Sequence, residues 1–192
     1  MKRHWTLIAI ATTFGIAAGG LQAGDGGQDK RFAARLKPIE EVPALSSVAF
    51  GRFHATIDDA NQTITYELSY DDLEGDVLQA HIHIGQPSVN GGISVFLCGN
   101  PPTVPPPTVP QPPACPPPPA KVEGVVTAAS IIGPAGQGVA PASASINEFA
   151  ELVRSIRKGI TYANVHSSKF PGGEVRGQLR SGRDHDRDHD DD

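Results

Sequence analysis

Along most of the chain, apolar and polar positions alternate with a period of two. In 62–70, Ile64, Tyr66, Leu68 and Tyr70 alternate with Thr63, Thr65, Glu67 and Ser69. Successive side chains of extended backbone point to opposite sides, so this pattern predicts a strand with one face buried and one in water. The same reading predicts strands over 48–57, 77–84, 93–97, 122–128, 160–167 and 174–179. Turn-forming clusters separate them, at Asp58-Asp59-Ala60-Asn61, Asn90-Gly91-Gly92 and Pro171-Gly172-Gly173. One segment changes period. Ser145 precedes Glu148 at capping-box spacing, Phe149, Leu152, Val153 and Ile156 recur at helical spacing, and Arg157-Lys158-Gly159 supplies a cationic last turn and a glycine stop. Together these elements predict a mainly β protein, an antiparallel sandwich or barrel with one short helix packed over an end.

The two ends of the chain do not follow this pattern. Lys2 and Arg3 precede an apolar run over 5–18, Gly19-Gly20 breaks it, and Leu21-Gln22-Ala23 offers a small-residue cleavage site. This is the anatomy of a secretory signal peptide over 1–23, followed by a linker over 24–31, and the apolar run falls short of the ~20 residues that span a bilayer comfortably. The expectation is a secreted or periplasmic protein with no membrane span after cleavage. At the other end, 181–192 repeats Arg-Asp-His-Asp and has no apolar residue, so it reads as a disordered acidic His/Asp tail.

Cysteine use agrees with export. Cys98 and Cys115 are the only two, and an even pair in an exported chain reads as a disulfide. They bracket most of a loop over 98–119 that holds twelve of the eighteen prolines. Proline offers no ladder donor, so this stretch cannot enter a sheet interior and is expected to be a stapled polyproline-II loop. The formal charge of −5 excludes a general nucleic-acid or anionic-membrane binder, which needs a basic face to release counterions. There is no G-x-S-x-G, no phosphate-binding P-loop and no dinucleotide glycine fingerprint, so the reading leans away from an enzyme, with a redox-active copper protein as the alternative.

The candidate chemistry lies on the polar faces of three strands. In 80–85, Ala80, Ile82 and Ile84 take one side and His81 and His83 the other. In 162–166, Ala163 and Val165 oppose Tyr162, Asn164 and His166, and in 174–179, Val175, Gly177 and Leu179 oppose Glu174, Arg176 and Gln178. If these strands are neighbours, the three imidazoles converge on an outward, solvent-facing surface. Imidazole suits copper or zinc, and two histidines at i and i+2 on a strand stand ~6.5–7 Å apart along one face. The candidate ligands are His81, His83 and His166, with His54 a candidate fourth, and Glu174, Arg176 and Asn164 are candidates to orient them. The competing reading is a hydrogen-bonded cluster that orders strand pairing. Glu174 and Arg176 would then simply pair on the sheet surface.

The same residues carry a resemblance. The blocks EVPALSSVAFG, AHIHIG, NGGISVFL and YANVHSSKFPGGEVRGQL, in that order over about 32–180, resemble the CHRD (chordin-type) domain family in a single-domain bacterial-style form. The resemblance implies an extracytoplasmic β-sandwich of immunoglobulin-like or superoxide-dismutase-like Greek-key type, and a first strand at 32–36. The resemblance implies little about activity, and the reading of the chain is a binding or structural module whose partner, an extracytoplasmic protein or ligand, is unidentified. The His-x-His strand with a distant third histidine also resembles the copper ligands of copper/zinc superoxide dismutases. This chain shows no bridging histidine and no zinc-loop ligand set, so dismutase turnover does not follow.

Overall fold

The computed structural model describes residues 30–140 and 148–182. Two antiparallel sheets face each other. The five-stranded sheet contains β1 (Arg31–Leu36), β2 (Phe50–Asp58), β3 (Thr63–Asp71), β6 (Ala120–Thr127) and β9 (Arg180–Ser181), in the order β6-β3-β2-β1-β9. The four-stranded sheet contains β4 (Val77–Ile84), β5 (Gly92–Gly99), β7 (Thr161–Ser167) and β8 (Val175–Gln178), in the order β5-β4-β7-β8. This is the expected antiparallel β-sandwich. Period two decides each strand's inner face. Phe53, Ala55 and Ile57 of β2 and Ile64, Tyr66, Leu68 and Tyr70 of β3 meet Ala80, Ile82 and Ile84 of β4 and Ala163 and Val165 of β7 in a single core. Burial of this apolar surface supplies the main stabilisation, at roughly 25 cal/mol per Å² removed from water.

Three features of the strands depart from the expected pattern, and one glycine that it placed inward has a specific reason. The first strand forms at Arg31–Leu36, one residue ahead of the expected 32–36. A two-residue β9 at Arg180–Ser181, too short to carry a periodic signal, crosses from β8 to pair with β1. β5 is irregular, because its register against β4 shifts between Ala80 and His81 and again between Ile82 and His83. Gly177, on the inner side of β8, lies against β1, where a Cβ would stand 2.2 Å from the Arg35 carbonyl oxygen. Glycine is required there because two backbones approach closely.

Helix α1 (Glu148–Arg157) buries Phe149, Leu152, Val153 and Ile156 against the core, and Arg157 forms a bidentate pair with Asp59 in the β2–β3 turn. It therefore caps one end of the sandwich. The Ser145 cap, the leader and the His/Asp tail from Arg183 onward lie outside the described residues. Cys98 at the end of β5 and Cys115 ahead of β6 form the expected disulfide. Cross-linking residues 17 apart in sequence removes about 3 kcal/mol of unfolded-state freedom. Asn100 ties the same corner, donating to the carbonyls of Val77 and Cys115 and accepting from the Cys115 amide.

Candidate metal centre

β4, β7 and β8 are adjacent, so their outward positions collect on one face. Asn164 stands opposite His81, Tyr162 opposite His83, His166 opposite Gln79 and Arg176 opposite Asn164. The alternation found in the sequence thus becomes a two-dimensional array of polar side chains.

That array does not face water. His81 is 0% exposed, His166 5% and His83 7%, and Arg176, Asn164 and Glu174 are buried as well. The solvent-facing surface expected from the sequence is corrected to a buried cluster, because three loops roof it. Backbone bonds between Lys37 and Arg176 lay the segment after β1 along β8, and Ser47 further along donates to Glu174. The β4–β5 loop closes over the sheet through Asn90, which donates to the Val42 carbonyl and accepts from Arg176. The β7–β8 turn brings the Pro171 carbonyl onto His166.

One nitrogen from each of the three histidine rings lies within 4.8 Å of the other two. A tetrahedral ion with Zn–N distances of 2.0–2.1 Å needs its donors about 3.3 Å apart, so the widest gap must close by about 1.5 Å. His81 Nδ1 and His166 Nε2 already stand 3.1 Å apart. Hydrogen-bond partners constrain the ring protons. His83 Nδ1 faces the Gly91 carbonyl at 3.0 Å, and a carbonyl only accepts, so this Nδ1 carries the proton and His83 Nε2 keeps its lone pair. Ligating histidines have the same arrangement, with the far nitrogen donating to a fixed acceptor. His166 has an acceptor at each nitrogen, the Pro171 carbonyl at 2.9 Å from Nδ1 and Asn164 Oδ1 at 3.1 Å from Nε2.

The bare nitrogens have little else to bind. His81 Nε2 and His83 Nε2 are buried with no hydrogen-bond partner. His166 Nε2 faces His81 Nδ1 and Asn164 Oδ1, each at 3.1 Å.

Burial holds all three imidazoles neutral. Desolvation lowers His83 to about 4, moves His81 well below the ordinary histidine value with help from its two imidazole neighbours, and lowers His166 despite the Pro171 carbonyl. Neutral imidazole is the ligating form. Around the rings, Phe96 packs edge-on against His81 at 4.3 Å, and Tyr162 stacks on His83 at 4.7 Å with planes 3° apart. The Arg176 guanidinium lies 3.4 Å from the Tyr162 ring centre and donates to the carbonyls of Gln86 and Val89 and to the side chain of Asn90.

The other candidates fall into place unevenly. Glu174 Oε1 accepts from Ser47 Oγ and the Glu74 amide, both at 2.8 Å, so it ties two loops together. Arg176 reaches His83 through the Tyr162 ring. The expected Glu174–Arg176 surface pair is therefore corrected, since each side chain is buried with other partners. Asn164 touches His166 directly, on the bare nitrogen. His54 is exposed on β2, paired with Ala33 and Glu67 in the other sheet, and is not brought to the cluster. The sandwich sends the polar face of β2 to the opposite side of the molecule.

Glu41 was not singled out by the sequence reading. It is buried beside Asn164, with which it shares a side-chain hydrogen bond. Desolvation raises its carboxyl to about 7, while the Arg176 charge and the Asn164 bond pull the other way. Gly173, at φ 126°, turns beneath it, and a Cβ there would meet Glu41 Oε1 at 2.4 Å. No periodicity marks Glu41, which lies in an irregular segment, although it opens the block EVPALSSVAFG.

A family model for the CHRD domain matches residues 32–179. No curated protein and no solved structure matches the chain. The matched span runs from the second residue of β1 through the strands that carry the three histidines, and the chain belongs to the CHRD domain family.

Proposed function

We propose that this chain is an exported, non-catalytic CHRD-domain binding module whose ligand is a copper or zinc ion held by His81, His83 and His166. The observation that carries the reading is the convergence of three buried imidazoles, each with a nitrogen within 4.8 Å of the other two, in which His83 gives its Nδ1 proton to the Gly91 carbonyl and keeps a bare Nε2. A cluster built only to order strands would satisfy its buried nitrogens, whereas two of them here have no partner. Asn164, Tyr162 and Arg176 hold the rings in place. Export is supported by the leader-like sequence over 1–23 and by a disulfide, a bond that persists in oxidising compartments.

The test is elemental analysis of the full chain purified with His185 and His189 of the tail changed to alanine, so that tail ligands do not contribute. One equivalent of copper or zinc is expected, lost on His83→Ala and on His166→Ala. A metal content that neither substitution changes rejects the site and leaves a purely structural cluster. Sequencing the mature N-terminus from an exporting host checks the leader, with cleavage after Ala23 expected.

A further inference from the structure

We infer that the three-histidine cluster is built for a monovalent soft cation, Cu(I), in preference to the divalent ions Zn(II) and Cu(II). The inference rests on the metal-binding reading above and adds the identity of the ion.

The donor set comes first. The group able to hold an ion among the described residues consists of three imidazoles, with no thiolate or carboxylate within reach of the same point. The oxygens that touch the rings, the Gly91 and Pro171 carbonyls and Asn164 Oδ1, all belong to uncharged amides. The set therefore brings no negative charge to the ion. Three neutral nitrogen donors can complete the shell of a d¹⁰ monovalent copper ion, while zinc sites with three protein ligands keep a fourth, usually water.

The surroundings come second. Desolvation cost rises with the square of the charge, so a divalent ion loses about four times as much hydration free energy as a monovalent ion of equal size. Here little water remains to offset it. The Phe96 edge covers His81, the Tyr162 face covers His83, and all three histidines are buried. The fixed charges nearby are the Arg176 cation, which acts on His83 through space, and the buried carboxylates Glu41 and Glu174. Neither carboxylate belongs to the group of ligand atoms that lie within 4.8 Å of one another. A divalent ion brings twice the charge of a monovalent one into a region where an uncompensated charge is costly.

The experiment is an anaerobic titration of the full chain, again with His185 and His189 changed to alanine. Cu(I) is measured against bicinchoninate, and Zn(II) and Cu(II) against chromophoric chelators. The expected result is one Cu(I) per chain, held at least about a hundredfold more tightly than Zn(II) and abolished by His83→Ala. X-ray absorption of the Cu(I)-loaded unsubstituted cluster should show three nitrogen donors, a readout that does not depend on any variant folding. Zn(II) or Cu(II) binding as tight as Cu(I), and sensitive to His83→Ala, overturns the preference for a monovalent ion while leaving the metal site standing. Failure of all three ions to bind in a His83-dependent way overturns both readings.

Discussion

The outer faces of the two sheets carry nearly the same kinds of residue and behave in opposite ways. On the five-stranded sheet, Arg52, His54 and Thr56 of β2 are exposed, and Lys121 of β6 pairs with Glu67 and Glu123 in open solvent. On the four-stranded sheet, His81, His83, Asn164, His166 and Arg176 occupy equivalent outward positions and are almost completely covered. Strand periodicity is the same in both. The difference lies in what passes overhead, because the segment after β1, the β4–β5 loop and the β7–β8 turn all converge on one sheet. A polar side chain in water exchanges one set of hydrogen bonds for another at little net gain, whereas a roofed one must be satisfied or it costs stability. That condition is only partly met here, since His81 Nε2, His83 Nε2, Glu41 Oε1 and Glu174 Oε2 are buried without a hydrogen-bond partner.

The contrast can be broken most directly at Arg176. Its guanidinium serves the carbonyls of Gln86 and Val89, the side chain of Asn90 and the face of Tyr162. Arg176→Ala leaves those acceptors and the Glu41 charge without their cation. It should cost about 3–5 kcal/mol, read as a lowered urea midpoint. Arg52→Ala, on the solvated face, should leave the midpoint where it is.

Acid should sharpen the contrast next. In the metal-free chain His83 is held at about 4, below its unfolded value near 6.5, so the unfolded chain takes up protons first as pH falls. The stability contributed by this neutral buried ring is complete above pH 6.5 and is lost as pH drops toward 4, amounting to about 3 kcal/mol for His83 alone. His81 and His166 shift in the same direction and add to the loss. Glu41 works the other way. Its carboxyl is raised from 4.5 to about 7, so the protonated form is favoured in the folded chain, and the stability this brings is lost as pH rises through that interval. Glu41→Gln should therefore steepen the gain in stability between pH 4.5 and 7 measured by urea unfolding at a series of pH values. A profile that does not respond to Glu41→Gln would mean that the roof admits water.

The smallest effect belongs to the ion-pair trio on the other sheet. Lys121 stands 2.8 Å from carboxylate oxygens of both Glu67 and Glu123, with its side chain more than half exposed. Exposed pairs of this sort are screened and entropically costly to hold. Lys121→Ala should give no resolvable change in urea midpoint, and a clear loss would show that this face is less solvated than its exposure indicates.

Much of this arrangement was legible as pattern. The alternation over 62–70 marked β3, AHIHIG marked β4 with its histidines on one side, and the cysteine pair around the proline-rich loop marked the disulfide. The orientation of His81, His83 and His166 relative to the core followed from the same rule. The roof was not legible. Glu41 lies in a segment with no period, and the carbonyls of Gly91 and Pro171 that face His83 and His166 come from loop backbone, which any residue supplies. His54 shows the converse, since its alternation is as clear as that of His81 but its strand belongs to the other sheet.

Local sequence thus determined which residues form strands, which face of each strand is apolar, and which residue types stand on the other side, because these depend only on backbone period and on water's rejection of apolar surface. Tertiary structure alone decided which strands became neighbours, which polar face was roofed and which was left wet, and hence that three imidazoles meet in a dry pocket. Those outcomes depend on contacts between residues such as Ser47 and Glu174, more than a hundred positions apart, and no local pattern encodes them.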